Sequence, residues 1–401
     1  DLCKSMLAYK KWGESKDPNK KSDHFVGDFY VMYSKKAKDD EGLEKEVRQM
    51  LLQWESRDKV TIELWEKMNK WAIDGFNQTY ARLGIKHEKV YFESQMFEHG
   101  KKIIQDGLKK GIFEKDEEGN VFVPLEEYGM PNRVLLRADG TSIYITQDIY
   151  LAMSRFKDFN FSKSLYVVGN EQNLHFRQLF KVLELLGFER YQDCYHLSYG
   201  MIFLPEGKMK SREGTIVDAD NLIDEVKQEA ANEIKKRHKL QDAELNTRAE
   251  MIGMGGLKFF VLKYDVAKDF VFNPKESISF EGETGPYIQY AYARICSILK
   301  KNGLPVTDKI DFSLLDQEKH IIQHLADFPQ VIQDAAKHYK PSTVARFLLS
   351  LSQDFNEYYH KTPILKTDEN TKLARLFLIT CIKDVICSGL NLLGIDAPEQ
   401  M

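Results

Sequence analysis

The stretch SLYVVGNEQNLHFRQLFKVLELLGFERYQDCYHLSYGMIFL, residues 164–204, decides the fold class. Its first residues, 164–168, predict a buried strand that a Gly-Asn pair ends. Residues 172–186 then predict a helix, and residues 195–204 predict a second strand. A helix that joins two strands in this way is typical of a parallel sheet with right-handed crossovers. The sequence therefore predicts an α/β domain.

Upstream of this stretch, helical periodicity gives way to short strands. Residues 41–85 carry apolar side chains at three- and four-residue spacing, which predicts helices, with Asp58 or Ser56 placed to cap the second one. Residues 90–92 predict a short strand that ends at Glu93. The next segments predict a helix at 96–112, strands at 119–123 and 133–137, a hairpin continuing through 142–145, and a helix at 148–155.

Downstream of residue 222 the pattern is helical throughout. Helices are predicted at 222–236 and 243–266, and then at 286–301, 314–338, 342–360 and 370–393. The last part of the chain therefore reads as an all-α bundle.

The composition excludes several classes of protein. The 401 residues include 57 Lys and Arg against 61 Asp and Glu, and the formal net charge of -4 gives no overall basic field for nucleic acid. No apolar run reaches the roughly 20 residues that a membrane span needs. The five cysteines form no CxxC pair, which is typical of reduced thiols in the cytoplasm and predicts no metal site.

The loop PEGKMKSREG, residues 205–214, concentrates cations between two glycines. Lys208, Lys210 and Arg212 can close on phosphate oxygens, and Ser211 adds a hydroxyl donor. Such a loop after a strand fits electrostatic stabilisation of a phosphoryl or nucleotidyl transition state. The residues alone leave open an ordinary solvated surface turn.

Acidic and polar side chains occur where strands end and helices begin. Tyr144 and Asp148 lie one turn apart if their segment is helical, and Glu93 ends a predicted strand. Two carboxylates there suit a cationic ligand such as a guanidinium. Gln172 and His175 lie in the first turn of a predicted helix, where polar ligands and anions bind. A helix cap, a surface charge and a hydrogen-bonded structural histidine remain the alternatives.

Aromatic residues near the start of the bundle share a helix face. Tyr287, Tyr290 and Arg294 fall at positions i, i+3 and i+7 after Pro286, a residue that favours a first helical turn. Two rings and a guanidinium form a stacking platform for unpaired bases. The same spacing also fits a half-buried core face, and the two interpretations stand equal at this point.

Taken in order, these segments closely resemble the class I arginyl-tRNA synthetases. The residues that carry the match are 144–148, 168–176, 207–214, 279–294 and 392–401, with FEGETGPYIQY at 280–290 and LGIDAPEQM at 393–401 as near-signatures. The resemblance implies a partial Rossmann-like class I catalytic domain followed by an all-α anticodon-binding bundle. It places the second part of the catalytic domain at 1–222 with a helical insertion at about 1–85, a helical connector at 223–275, and the anticodon-binding domain at 276–401.

The resemblance also implies an activity, its substrates and its site residues. The family attaches L-arginine to tRNA(Arg) through an arginyl-adenylate, which it forms from ATP with Mg²⁺ and without a tightly bound cofactor. We therefore expect a monomeric cytoplasmic protein without a membrane anchor. Glu93, Tyr144, Asp148 and Gln172 match the arginine-binding positions. ATP-binding positions are matched by His175, Lys208, Met209, Ser211 and Arg212, of which Lys208, Ser211 and Arg212 match the catalytic KMSKS loop. Anticodon-binding positions are matched by Tyr287, Tyr290, Arg294, Tyr359 and Met401.

Some features depart from the family pattern. The HIGH motif, which helps to bind ATP, does not occur in these residues, and Lys210 and Glu213 are unusual in the KMSKS-type loop. We therefore expect this chain by itself to have little or no aminoacylation activity. The alternative interpretations are a non-catalytic tRNA-binding fragment and another class I aminoacyl-tRNA synthetase.

Overall fold

The computed structural model of the chain describes residues 2–203, 218–237, 239–302 and 310–401. Within these residues, fourteen α-helices and seven short strands are arranged as a helical N-terminal segment, a mixed α/β part and a helical bundle. The proposed site residues outside the described part of the chain are Lys208, Met209, Ser211 and Arg212.

The N-terminal segment consists of four helices, α1 (Leu2–Trp12), α2 (Ser22–Lys36), α3 (Gly42–Glu55) and α4 (Lys59–Leu83). Asp58 caps α4 by accepting a hydrogen bond from the Thr61 N–H at 3.0 Å. The four helices enclose their own apolar core, in which Tyr9 and Phe29 pack edge to face at 5.3 Å between ring centroids. The structure confirms the helices predicted at 41–85 and the Asp58 cap.

The α/β part alternates helices and short strands. It runs through α5 (Phe97–Lys109), β1 (Glu114–Lys115), β2 (Val121–Val123), β3 (Arg133–Leu136), α6 (Tyr144–Asp158), β4 (Ser164–Gly169), α7 (Asn173–Leu185) and β5 (Cys194–Tyr199). The first three strands form an antiparallel sheet, while β4 and β5 pair in parallel from Ser164↔Cys194 to Gly169↔Tyr199. This arrangement confirms the predicted strand–helix–strand unit, with α7 as its crossover.

Three strand predictions need correction. Residues 90–92 join no sheet among the described residues, and a 3₁₀ turn, Glu93–Gln95, follows them. The hairpin beyond Gly140 is reduced to one bridge, Leu136↔Ser142, because α6 begins already at Tyr144. The described part of the predicted strand at 195–204 forms two strands, which are separated at Gly200 and Met201. At Gly200 the chain passes so close to the Lys268 backbone that a side chain would collide with it.

The second strand of that segment, β6 (Ile202–Phe203), pairs in parallel with β7 (Phe270–Val271). Strand β4 is also less buried than predicted, since Leu165 and Val167 are exposed on one face.

The helical part begins with two long neighbouring helices and continues into the bundle. Its helices are α8 (Ala219–Arg237), α9 (Asp242–Leu262), α10 (Pro274–Ser277), α11 (Gly285–Asn302), α12 (Lys319–His338), α13 (Pro341–Lys361) and α14 (Glu369–Leu392). One extended apolar core joins α11 to α14. The close contact of α9 with α11 depends on Gly255 and Gly285, because a Cβ on Gly285 would collide with the Gly255 carbonyl oxygen.

Candidate functional site

The first turns of α6 and α7 bring two of the predicted site residues into contact. Tyr144 is the first residue of α6, so Asp148 lies one turn further on the same face, as the spacing predicted. Asp148 Oδ2 lies 2.7 Å from His175 Nε2, which belongs to the first turn of α7. The hydrogen bond holds the Asp148 carboxylate in place at the N-terminal ends of both helices.

His175 itself is fixed by the carboxyl ends of the parallel strands. Its ring packs edge to face on Phe176, and the Phe176 ring also stacks on His196 at 4.3 Å between centroids. His196 Nε2 lies 3.0 Å from the Val168 carbonyl oxygen of β4. The Asp148–His175 pair is therefore built on β4 and β5, at the edge of the sheet where ligands of open α/β folds bind.

Glu93 lies on a segment that runs alongside α6. The segment that contains it follows α6 from its C-terminal end toward its N-terminal end, because the Tyr91 hydroxyl donates to Asp158 at 2.7 Å and the His99 ring stacks on Tyr150. The side chains of Glu93, Tyr144 and Gln172 are exposed and make no hydrogen bond to Asp148 among the described residues. The structure thus pairs Asp148 with His175 and leaves the other three residues open to solvent.

The residues predicted for the aromatic platform lie close together at the bundle. A cleft of about 660 Å³ is lined by Tyr290, Arg294, Tyr359 and Met401. A neighbouring cleft of about 340 Å³ is lined by Tyr287 and shares Tyr290 and Arg294 with the first. All five side chains predicted to hold an anticodon therefore lie around two adjoining clefts.

Arg294 is the centre of this platform. Its guanidinium carbon lies 4.7 Å from the Tyr290 ring centroid and 5.1 Å from that of Tyr359, and Nη1 donates to Asn356 Oδ1 at 2.9 Å. Cation–π contacts with two rings hold the guanidinium in place. The Tyr359 side chain remains 39% exposed, so its ring is available to a ligand.

Sequence reasoning missed several residues of these clefts. Arg237, at the end of α8, lies over the Phe280 ring at 4.5 Å, and Phe280 meets Tyr290 edge to face. Arg248 of α9 donates to Gln400 Oε1 at 2.8 Å beside Met401. The basic last turn of α8 was the available signal for Arg237, but nothing in its spacing places it next to residue 280.

One cluster of metal-ligand types lies in the described residues. Oxygen and nitrogen atoms of Asp23, His24 and Asp220 come within 4.8 Å of one another. The ammonium group of Lys21 already sits there, 2.8 Å from Asp23 Oδ2 and 2.7 Å from Asp220 Oδ2. Because this ammonium compensates the carboxylates and would repel a second cation, we assign no metal ion to the cluster.

None of the described helices is both long and apolar enough to cross a membrane.

Two sequence profiles together match nearly the whole chain. The profile described as "tRNA synthetases class I (R), catalytic domain" matches residues 6–274, and the DALR anticodon binding domain matches residues 288–401. Among curated relatives, the arginine–tRNA ligase of Parabacteroides distasonis is 44% identical over 430 residues, covering 100% of this chain and 72% of the relative. That of Treponema denticola is 46% identical over 415 residues, covering 100% and 70%.

Solved structures share the arrangement. The arginyl-tRNA synthetase of Thermus thermophilus matches with a TM-score of 0.84 at 25% identity, over 100% of this chain and 74% of that chain. The arginyl-tRNA synthetase of Plasmodium falciparum gives 0.81 at 19% identity, over 100% and 68%, which is a likeness of fold.

Proposed function

Because this chain belongs to the class I arginyl-tRNA synthetases, we propose that the N-terminal end of α6 binds the substrate arginine and that the two bundle clefts bind the tRNA anticodon. The family confirms the predicted fold, an α/β class I catalytic domain followed by an all-helical anticodon-binding bundle. It also confirms the predicted activity, that of an arginine–tRNA ligase with ATP, arginine and tRNA as substrates. The roles of single residues are what we propose.

The arginine site rests on the Asp148 carboxylate. His175 holds Oδ2 at 2.7 Å, and Oδ1 accepts no hydrogen bond from the described residues. A guanidinium can donate to that oxygen, with Glu93 supplying a second negative charge from the segment beside α6. Tyr144 and Gln172, exposed at the starts of α6 and α7, orient the rest of the substrate. This arrangement also gives His175 a role in positioning Asp148, besides the contact with ATP expected from the resemblance.

The loop at 207–214 supplies the cations that the chemistry needs. Formation of an adenylate releases pyrophosphate, and Lys208 and Arg212, with the Ser211 hydroxyl and the Met209 backbone, would bind the phosphates of ATP. Mg²⁺ would arrive with ATP as part of the substrate complex. Since the arginine carboxylate itself attacks the α-phosphate, no side chain serves as nucleophile, and catalysis consists of positioning and charge stabilisation.

The anticodon site rests on the Tyr290–Arg294–Tyr359 stack. Rings and a flat guanidinium accept the faces of unpaired bases whatever their identity, while Tyr287 and Met401 close the two clefts. We also propose that the enzyme acts as a monomer in the cytoplasm, and the five free cysteines agree with a reducing compartment.

The Asp148→Asn variant tests the arginine site. The substitution keeps the shape but removes the charge, so we expect the KM for arginine to rise by about 10- to 100-fold while the KM for ATP is unchanged. The measurement is arginine-dependent ATP–pyrophosphate exchange with tRNA present, in a version of the chain that also carries a HIGH-containing segment, because this chain by itself is expected to have little or no activity. The control is Asp106→Asn, an exposed carboxylate of α5 that lies 3.4 Å from Lys109. An unchanged KM for arginine in Asp148→Asn would show that the guanidinium binds elsewhere.

A further inference from the structure

The C-terminal end of α8 carries a run of basic residues next to the bundle clefts. Residues 235–239 read KKRHK, and residues 234–241 contain no Asp or Glu. Arg237 lines the smaller cleft, and Leu240, three residues further on, lines the larger one. Because the chain as a whole has a formal net charge of -4, binding of a polyanion such as tRNA depends on local basic surfaces of this kind.

Arg237 belongs to the same series of contacts as the stacking platform. Its guanidinium carbon lies 4.5 Å from the Phe280 ring centroid, and Phe280 packs edge to face with Tyr290 at 6.5 Å between centroids. Phe280 also packs against the apolar cluster between α8 and α9, which holds its ring in place. The series of rings and guanidinium groups therefore continues from Arg294 and Tyr290 through Phe280 to the end of α8.

The guanidinium of Arg237 retains its hydrogen-bond donors. It makes no hydrogen bond or ion pair with another described residue, and its cation–π contact with Phe280 occupies no N–H group. Glu281, the carboxylate among the described residues that line the same cleft, forms no ion pair with it. The next basic side chain differs, since Lys236 Nζ lies 2.5 Å from Glu233 Oε1. The donors of Arg237 are therefore available to an anionic ligand at the cleft.

The exposure of the lining residues separates the part of the cleft that suits a base from the part that suits a phosphate. Phe280 and Tyr290 are half-buried, whereas Arg237 is exposed at the rim. A strand whose bases stack inside the clefts keeps its charged backbone outside them, because the phosphates remain hydrated. An exposed guanidinium at the rim can donate two parallel hydrogen bonds to one such phosphate.

We propose that Arg237 binds a backbone phosphate of the tRNA strand whose bases occupy the two clefts, and that Phe280 positions its guanidinium. Lys235 and Lys239, both exposed, add to the local positive charge. The proposal rests on the anticodon site proposed above and adds to it a contact that does not depend on base identity. Since cations also stabilise the C-terminal end of a helix through its dipole, a role limited to the stability of α8 is the alternative that the experiment separates.

Filter binding of tRNA(Arg) across a salt series tests the contact with Arg237→Gln. Loss of one phosphate contact should raise the Kd by about 2- to 10-fold and reduce the slope of the logarithm of the binding constant against that of the salt concentration by about 0.7. Arg237→Lys keeps the charge and loses the planar fork, so it should restore the slope and part of the affinity. A role in helix stability alone would lower Tm without changing the slope, because it does not alter the number of ions released on binding.

Lys236→Gln is the matched control for the loss of charge. It removes one cation from the neighbouring position, where the ammonium group is already bonded to Glu233, so the Kd and the slope should stay near wild type. Equal effects of Lys236→Gln and Arg237→Gln would reveal a general charge effect and overturn the specific contact. An unchanged slope in Arg237→Gln would overturn it as well.

Tyr290→Leu, measured in the same salt series, separates this proposal from the anticodon site on which it rests. If Tyr290→Leu weakens binding while Arg237→Gln changes neither the Kd nor the slope, the phosphate contact is wrong and the base-binding clefts stand. If Tyr290→Leu leaves the Kd unchanged, the anticodon assignment fails, and the phosphate contact fails with it because no strand then lies in the clefts.

Discussion

At the scale of single residues, Tyr290 has a special position because it lines both bundle clefts. The Arg294 guanidinium lies over its ring, and the ring packs edge to face with Phe280 at 6.5 Å between ring centroids. A base that occupies either cleft can therefore contact this ring. We therefore expect the residue to contribute to tRNA binding through stacking more than through charge.

The Tyr290→Leu variant should weaken tRNA(Arg) binding by about 5- to 100-fold, since base–aromatic stacking contributes about 1–3 kcal/mol per base. The dependence of the Kd on salt should keep its slope, because no cation is removed. Filter binding across a salt series measures both quantities. Tyr128→Leu, an exposed tyrosine of the α/β part, is the matched control. Equal affinity in Tyr290→Leu and wild type would contradict the stacking role.

Two helical glycines of the N-terminal segment lie in opposite surroundings. A Cβ on Gly75 of α4 would collide with the Asp23 carboxyl group, whereas a Cβ on Gly27 of α2 would meet nothing within 4 Å. Among the described residues, Asp23 Oδ1 is buried without a hydrogen-bond partner. Gly27→Ala should stabilise the fold by up to about 1 kcal/mol through helix propensity. Gly75→Ala should destabilise the fold by about 1–3 kcal/mol, because the collision with Asp23 outweighs the same gain in helix propensity. Urea unfolding measures the change in the free energy of unfolding for each variant. Changes of the same sign in both variants would contradict the close packing at Gly75.

At the scale of secondary structure, the helices and strands β2 to β5 were predictable, and the two-residue strands were not. The helix signal is local, since apolar residues recur every three or four positions, and α3, α4, α7 and α11 to α14 followed it. Strands β1, β6 and β7 have only two residues each, too few to show alternation. Residues 90–92 have the composition of a strand, and no partner strand among the described residues pairs with them.

The candidate site was predictable as residue types and not as contacts. The one-turn spacing of Tyr144 and Asp148 followed from the sequence, but the bond between Asp148 and His175 joins residues 27 positions apart. Similarly, Arg294 meets Asn356 across 62 positions. Such pairs depend on how α7 packs on α6 and how α13 packs on α11, which periodicity does not specify.

The N-cap of α4 gives a prediction about pH. Hydrogen bonds from the Thr61 hydroxyl and N–H lower the pKa of Asp58 below its ordinary value of 3.8. A carboxyl group whose pKa is lower in the folded state stabilises the fold above the unfolded pKa and loses that effect as the pH falls through the folded pKa. Asp58→Ala should therefore lower Tm at pH 7, and its difference from wild type should shrink below about pH 4. Thermal melts across pH test this prediction.

The control for the cap is Asp74→Ala, which removes an exposed ion pair with Lys70 on the same helix. Its effect on Tm should be small, because exposed pairs contribute little. A loss in Asp58→Ala that stays constant down to pH 2.5 would mean that side-chain packing, and not the capping hydrogen bonds, is responsible.

At the scale of the whole molecule, the described residues contain separate apolar cores. The N-terminal helices, the α/β part and the bundle each have a core, and none of the three clusters shares a residue with another. The contacts between the first segment and α8 are largely polar. Because each core buries its own apolar surface, the parts can open independently, with local unfolding free energies of their own.

A buried ion pair in the bundle allows this independence to be tested. Glu318, 2% exposed at the side chain, accepts hydrogen bonds from Arg375 Nε of α14 at 3.1 Å and from the Tyr358 hydroxyl of α13 at 3.2 Å. Arg375→Met leaves the carboxylate buried without its cation, which should cost the bundle about 3–5 kcal/mol. Lys361→Met, which removes an exposed pair with Glu357, is the matched control.

Hydrogen exchange then distinguishes independent parts from one cooperative unit. Arg375→Met should accelerate exchange of the protected amides in α13 and α14 and leave α1 to α4 unchanged, whereas Gly75→Ala should do the reverse. The expectation follows from the separate cores, because the loss of packing in one removes no apolar contact from another. If either variant accelerates exchange equally in all described helices, the polar contacts between the N-terminal segment and α8 couple the parts strongly enough that the molecule unfolds as one unit.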